Sequence, residues 1–141
     1  MLAADAWQSI LDFVGATAWQ RTRVLASLGL TVNDSRALTT LDVEPGRSMR
    51  SLADAWSCDA STTTWIVDRL ERKGLAERHA HATDRRRRMV ALTPAGIRMR
   101  DEMLRLMYAA PPELLELDEA DLRALRDGVA RLPIVTARAQ P

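Results

Sequence analysis

The stretch from Ser51 to Gly96, SLADAWSCDASTTTWIVDRLERKGLAERHAHATDRRRRMVALTPAG, decides the fold. Met49, Leu52, Ala53 and Trp56 put apolar side chains on one side of a short helix that Ser48 can cap. SCD turns the chain, and Asp59 can cap a second helix. Its inward side is Thr63 (by its methyl), Ile66, Val67 and Leu70, spaced by three and four. Gly74 stands where a left-handed residue closes that helix. Two strands are predicted next, Leu75–Arg78 and Arg87–Leu92, joined by HAHATDRR. In the second, Arg88, Val90 and Leu92 share one side, and Met89 and Ala91 the other. Thr93-Pro94 then reads as a cap followed by proline in the first helical position. Two short helices, a tight turn and a hairpin describe a winged helix-turn-helix.

The flanks are helical. Trp7, Ile10, Leu11, Val14, Ala18 and Leu25 recur at helical spacing and predict one long helix over Ala3–Leu28. Thr31 can cap a helix whose third residue is Asp34, a capping box with Asp in place of Glu, and Pro45-Gly46 stops that helix. After Pro94, Ile97, Met99, Met103, Leu104 and Met107 continue one helix, which PPE ends. Asp118, with Asp121 three residues on, opens another through Leu122, Leu125, Val129 and Leu132. The chain after Pro133 is expected to be loose. The fold class predicted is mostly α, with about six helices and a small β-hairpin wing. The lobe that carries the motif spans about residues 31–93 of a single domain, and the helices at about 3–28 and 94–132 carry more apolar surface than so small a domain would bury, so they are the expected dimerisation region.

Composition narrows the function. The 141 residues fit one domain, 47% are hydrophobic and 28% charged, and the formal net charge is +1. That small number hides an asymmetry. The span from Arg69 to Arg100 carries +7, with only Glu71, Glu77 and Asp84 against ten basic residues, and the rest of the chain carries −6. A basic segment of that kind is the footprint of a polyanion-binding surface. A lone cysteine, Cys58, suits a reducing cytosol and looks like a small apolar filler between the motif helices. The start of the chain has no basic region of a signal peptide and no apolar run is long enough to cross a bilayer, so the expected location is cytoplasmic. There is no Gly-rich phosphate loop, no nucleophile with a base at a known spacing and no carboxylate pair in an apolar setting, which argues against an enzyme. His79, His81 and Asp84 stand in an arginine-rich turn that would repel a metal cation, so neither a metal nor a cofactor is expected.

The quoted stretch resembles the multiple-antibiotic-resistance-regulator (MarR) family of bacterial transcription factors. The features that carry the likeness are Leu52-Ala53, the DRLERKGL end of the second motif helix, Asp84-Arg85-Arg86, and Leu92-Thr93 with Gly96 soon after. The resemblance implies sequence-specific binding to double-stranded DNA by a homodimer on a palindromic operator, most often as a repressor. It also implies that Asp84 holds Arg86, that Arg86 enters the minor groove, and that a small lipophilic or phenolic effector binds between the dimer helices and the lobe. Trp19 and Met103 are the candidates for that cavity.

The residues themselves support the DNA reading. With the inward positions removed, the Asp59-capped helix leaves Ala60, Ser61, Thr62, Thr64, Trp65, Asp68 and Arg69 outward, where hydroxyls can bond phosphates or base edges and methyls can meet thymine. Trp65 departs from the basic or small residue common in the family, and it can face either DNA or core. Arg85 and Arg87 flank Arg86 on a turn that can reach a groove of negative potential, and Ser48 and Arg50 are candidates for backbone contacts. The wing tip Ala80-His81-Ala82 lacks the family's usual Pro and Asp. Two further classes are consistent with the same features: a protein-interaction module that uses Trp65, and a loosely specific architectural DNA-binding protein.

Overall fold

The computed structural model describes residues 1–132. They fall in two compact units, Met1–Met107 and a second beginning at Tyr108. The first unit runs α1 (Leu2–Ala16), α2 (Ala18–Ser27), α3 (Val32–Thr40), β1 (Arg47–Ser48), α4 (Met49–Trp56), α5 (Ala60–Arg72), β2 (Ala76–Ala80), β3 (Arg88–Leu92) and α6 (Pro94–Met107). The second holds a 3-10 turn (Pro112–Glu116) and α7 (Glu119–Ala130), whose start is capped by the Asp118 side chain accepting from the Asp121 N–H.

The helix caps fall where the side-chain chemistry places them. Thr31 and Asp34 form a complete capping box on α3. Ser48 accepts from the Ser51 N–H at the start of α4, and Asp59 accepts from the Thr62 N–H at the start of α5. Thr93 caps α6 by accepting from the Gly96 N–H at 3.0 Å, and its hydroxyl donates to the Gly74 carbonyl at 2.6 Å. One side chain therefore joins the end of the helix-turn-helix to the start of the next helix. Gly96 is required there, because a Cβ on it would lie 1.9 Å from the Leu75 carbonyl oxygen.

The long first helix expected from the spacing is divided. α1 ends at Ala16 and α2 begins at Ala18. Thr17, between them, is buried, and its hydroxyl donates to the Phe13 carbonyl at 2.8 Å. Such back-bonding competes with the helical ladder and bends it. The hydrophobic period continues through the break, so the spacing alone could not show it.

The sheet has three strands in the order β1-β3-β2, all antiparallel. β2 reaches two residues further towards the turn than expected, and Ala80 pairs with Arg88. β1 is an addition to the expected hairpin. Its two residues are too few for an alternation to be visible, and its place depends on Gly46. That glycine has φ +75°, and a Cβ there would lie 2.2 Å from the Val90 carbonyl oxygen. Met89, Val90, Ala91 and Leu92 are all buried, so both sides of β3 are covered. The core beneath the sheet brings Leu38, Leu52, Trp56, Val67, Leu70, Val90 and Met103 together. The inward positions expected of α4 and α5 supply much of it, and Trp56 is its largest fully buried side chain.

Candidate nucleic-acid interface

α5 buries Thr63, Ile66, Val67 and Leu70 and leaves Ser61, Thr64 and Trp65 exposed, with Thr62 and Arg69 half-buried. Trp65 is 50% exposed, so the indole faces outward and the core reading of this residue is removed. The hydroxyls near the helix start are already engaged as donors. Ser61 donates to the Asp59 carboxylate at 2.7 Å and Thr64 to the Ala60 carbonyl at 2.8 Å. What they offer outward is an acceptor oxygen and, from Thr64, a methyl. Those groups suit base edges with exocyclic amines or thymine methyls better than they suit phosphates. The Asp59 carboxyl is held below its ordinary value, first by the Thr62 N–H and then by the Ser61 hydroxyl. The charged cap therefore persists at neutral pH and also suits the positive end of the helix dipole.

Ser48 and Arg50 take different positions. Ser48 is half-buried as the cap of α4, whereas Arg50 is exposed. Arg50 shares with Met49, Ala53, Ala60, Thr63 and Thr64 an open groove of about 320 Å³ between the two motif helices. The structure thus brings Arg50 and Thr64, candidates from separate helices, to one depression.

The basic segment separates into two groups. Arg69 donates from Nε to both oxygens of Asp34, at 2.9 and 3.1 Å, and Asp34 is completely buried. Lys73 lies 4.0 Å from the same carboxylate and also donates to the Gly29 carbonyl. Arg78 pairs with Asp68 at 2.7 Å and with Glu71. Arg69 was expected to be an outward contact. Its Nε instead fastens α5 to the start of α3, because a buried carboxylate must be matched by charge and hydrogen bonds. Neither Asp34 nor Arg78 was recognised from the sequence as part of this surface. Asp34 was legible only as a cap, since its arginine lies 35 residues away and no local pattern joins the two.

Arg85 to Arg88 are the second group. All four are exposed, and among the described residues none takes part in an ion pair. Asp84 holds Arg86 through the main chain: its carboxylate accepts from the Arg86 N–H at 3.1 Å. Its carbonyl accepts from the Arg87 N–H at 3.0 Å, and the His81 N–H closes the turn on the Arg87 carbonyl at 2.9 Å. The guanidinium of Arg86 is left free by this arrangement. The wing tip is braced too, since the Thr83 N–H donates to His81 Nδ1 at 3.3 Å and a His79 ring nitrogen lies 3.0 Å from the Pro45 carbonyl oxygen. At its root the wing is tied to the outer side of α5, where Arg78 of β2 meets Asp68 one helical turn from Trp65.

The two effector candidates lie in unlike surroundings. Met103 is fully buried in the core, whereas Trp19 is 49% exposed with the Arg23 guanidinium 5.4 Å from its ring centre. Met103 therefore packs the lobe and presents no free surface in the single chain. On α1 no residue is buried, and Trp7, Ile10, Leu11 and Val14 form an exposed apolar stripe.

Comparison with known proteins agrees with this geometry. The profile described as MarR family matches residues 28–87. A protein of Thauera aromatica, assigned by name to transcriptional regulation of the hcr operon, is 32% identical over 104 residues, 74% of this chain. The chain spans about half the length of that relative, 54%. The YusO protein of Bacillus subtilis has a similar structure, with TM-score 0.76, 23% identity and 92% of each chain covered. The MepR–DNA complex of S. aureus superimposes with TM-score 0.64 and 21% identity, over 86% of this chain and 97% of that one. At such identities the two structures establish the fold.

Proposed function

We propose that this chain, whose winged-helix lobe matches the MarR family profile over residues 28–87, is a sequence-specific regulator of that family that binds double-stranded DNA as a homodimer and represses transcription until a small lipophilic or phenolic effector releases it. The observation that carries the reading is the set of exposed wing arginines, Arg85 to Arg88, which have no ion-pair partner among the described residues, on a hairpin tied by Arg78 to the outward side of α5. Positive charge on a braced turn suits the minor groove, and a helix that presents methyls, hydroxyls and an indole suits the major groove. Ser61, Thr62, Thr64 and Trp65 are assigned to the groove face of α5. Arg85, Arg86 and Arg87 are assigned to the wing contact, Asp84 to bracing it, and Ser48 and Arg50 to the phosphate backbone.

Dimerisation is assigned to α1 and to the helical segments after the wing. The exposed stripe of Trp7, Ile10, Leu11 and Val14 supports it, since a contiguous apolar surface of this kind seeks a partner. A two-fold dimer would set the two α5 helices about 34 Å apart, one duplex turn. The effector rests on the family kinship alone, and the exposed Trp19 is the better of its two candidates. No described helix is long and apolar enough to cross a membrane, and a cytoplasmic, non-enzymatic role follows from the regulator reading.

Selection of bound duplexes from a random pool tests the whole. A two-fold symmetric site is expected, bound with a steep salt dependence of about 0.9 in log–log slope per phosphate neutralised. Recovery of duplexes without sequence preference would leave only architectural binding. Failure to retain any duplex would favour the protein-interaction reading, for which the half-exposed Trp65 is the specific observation.

A further inference from the structure

Trp65 is a large apolar side chain held out in solvent, and its surroundings fix where it points. The Arg69 guanidinium carbon lies 5.9 Å from its ring centre, within cation–π range. Arg69 is in turn held by Asp34 at 2.9 and 3.1 Å. Asp34 is 0% exposed, and it also accepts from the Thr31 N–H at 2.9 Å as half of the capping box on α3. A chain of contacts therefore runs from the start of α3 to the indole. One turn along α5, Asp68 would place a negative charge beside the indole, but Arg78 neutralises it at 2.7 Å. An aromatic group set in this way loses little conformational freedom when it binds.

We propose that Trp65 is a sequence-reading residue: held by Arg69, its indole packs on the 5-methyl group of a thymine in the major groove. The proposal rests on the regulator reading and deepens it. Among base edges in that groove, thymine alone offers an apolar group, whereas the other features are donors and acceptors that an indole ring face cannot match. The Thr64 hydroxyl is turned back to Ala60, so that neighbouring position adds a methyl rather than a competing donor. Arg69 is a positioning residue in this scheme, because its Nε is committed to Asp34.

The test uses the full-length protein and a symmetric duplex recovered from the random pool. Each thymine of a half-site is replaced in turn by deoxyuridine, which removes the methyl and keeps every hydrogen-bonding group. The expected result is one position per half-site at which the change weakens wild-type binding by about three- to fivefold. Changing both half-sites should give a loss on the order of tenfold. In Trp65→Ala the same replacement has no effect, and in Trp65→Phe part of the preference returns. Arg69→Met weakens the methyl preference and leaves the salt slope unchanged. Melting curves identify any variant that has lost its fold, and Trp65 is exposed enough for its variants to retain theirs. Three outcomes overturn the proposal and leave the regulator reading intact: a selected site with no methyl-sensitive thymine, a preference that survives in Trp65→Ala, or a Trp65→Ala loss equal on selected and random duplexes. Failure of the wild type to bind duplex at all overturns both.

Discussion

Two sets of basic side chains lie close in the sequence and do different work. Arg69, Lys73 and Arg78 are matched by Asp34, Asp68 and Glu71, whereas Arg85 to Arg88 have no acidic partner among the described residues. The first set ties α5 to α3 and to β2. The second is free to meet an external polyanion. A net charge for the whole segment does not separate them, because a paired arginine and a free one count equally. The partner decides the role, and the partners of the first set come from elsewhere in the fold.

The contrast breaks most visibly in DNA binding. Replacing Arg85, Arg86 and Arg87 together by alanine removes the wing contacts from both halves of the dimer, and should lower duplex affinity by more than about a hundredfold near physiological salt and flatten the log–log salt slope by about 4 to 5. Its melting temperature should stay close to wild type, since these groups make no ion pair among the described residues. Unchanged affinity with a lowered melting point would place the wing arginines in the structural set.

Asp34→Ala is the counterpart in the other set. It removes half of a capping box and two charge-assisted hydrogen bonds from a fully buried position. A loss of about 2 to 3 kcal/mol in urea unfolding is expected. The salt slope of whatever DNA binding persists should be unaltered, and a changed slope would mean that Arg69 reaches phosphate as well. Gly96→Ala sharpens the same division by disturbing the junction of Leu75 and α6, where the added Cβ would lie 1.9 Å from a carbonyl oxygen. It should cost about 1 to 3 kcal/mol by overpacking, again read by urea, with no selective effect on sequence preference.

The smallest effect is that of pH on the α5 cap. The Asp59 carboxyl is lowered in the folded state from its ordinary 3.8. Its contribution is therefore complete above that value and is lost as pH falls through the lower folded one. Asp59→Asn should melt slightly below wild type at neutral pH, and the gap should close only at strongly acidic pH. A gap that widened on acidification would reverse the sign and remove the charge argument.

The wing and the helix-turn-helix were legible because their signals are local. Ser48, Asp59 and Thr93 cap helices by bonding three residues ahead, and Gly74 takes its left-handed turn at the expected place. The inward side of α5 follows from the spacing of Ile66, Val67 and Leu70. What escaped left no mark on the local pattern. The break at Thr17 leaves the hydrophobic period untouched, β1 is too short to alternate, and Met103 reads the same whether its stripe lines a core or a cavity. Trp65 shows the limit most clearly, since the spacing left both of its orientations open and the structure turned it outward.

Read along the chain, the residues were enough to place the capped starts of α3 to α7, the inward sides of the motif helices, and a run of four arginines where a turn enters the second hairpin strand, but not the break at Thr17 or the end of α3 at Thr40. Caps, hydrophobic period and turn chemistry act within a few residues, so they can be read along the chain. Which charges remain available was set by the packed chain, because Asp34 and Arg69 meet across 35 positions of sequence. A carboxylate removed from water holds whichever cation the fold delivers to it, and the cations left over are the ones a duplex can use.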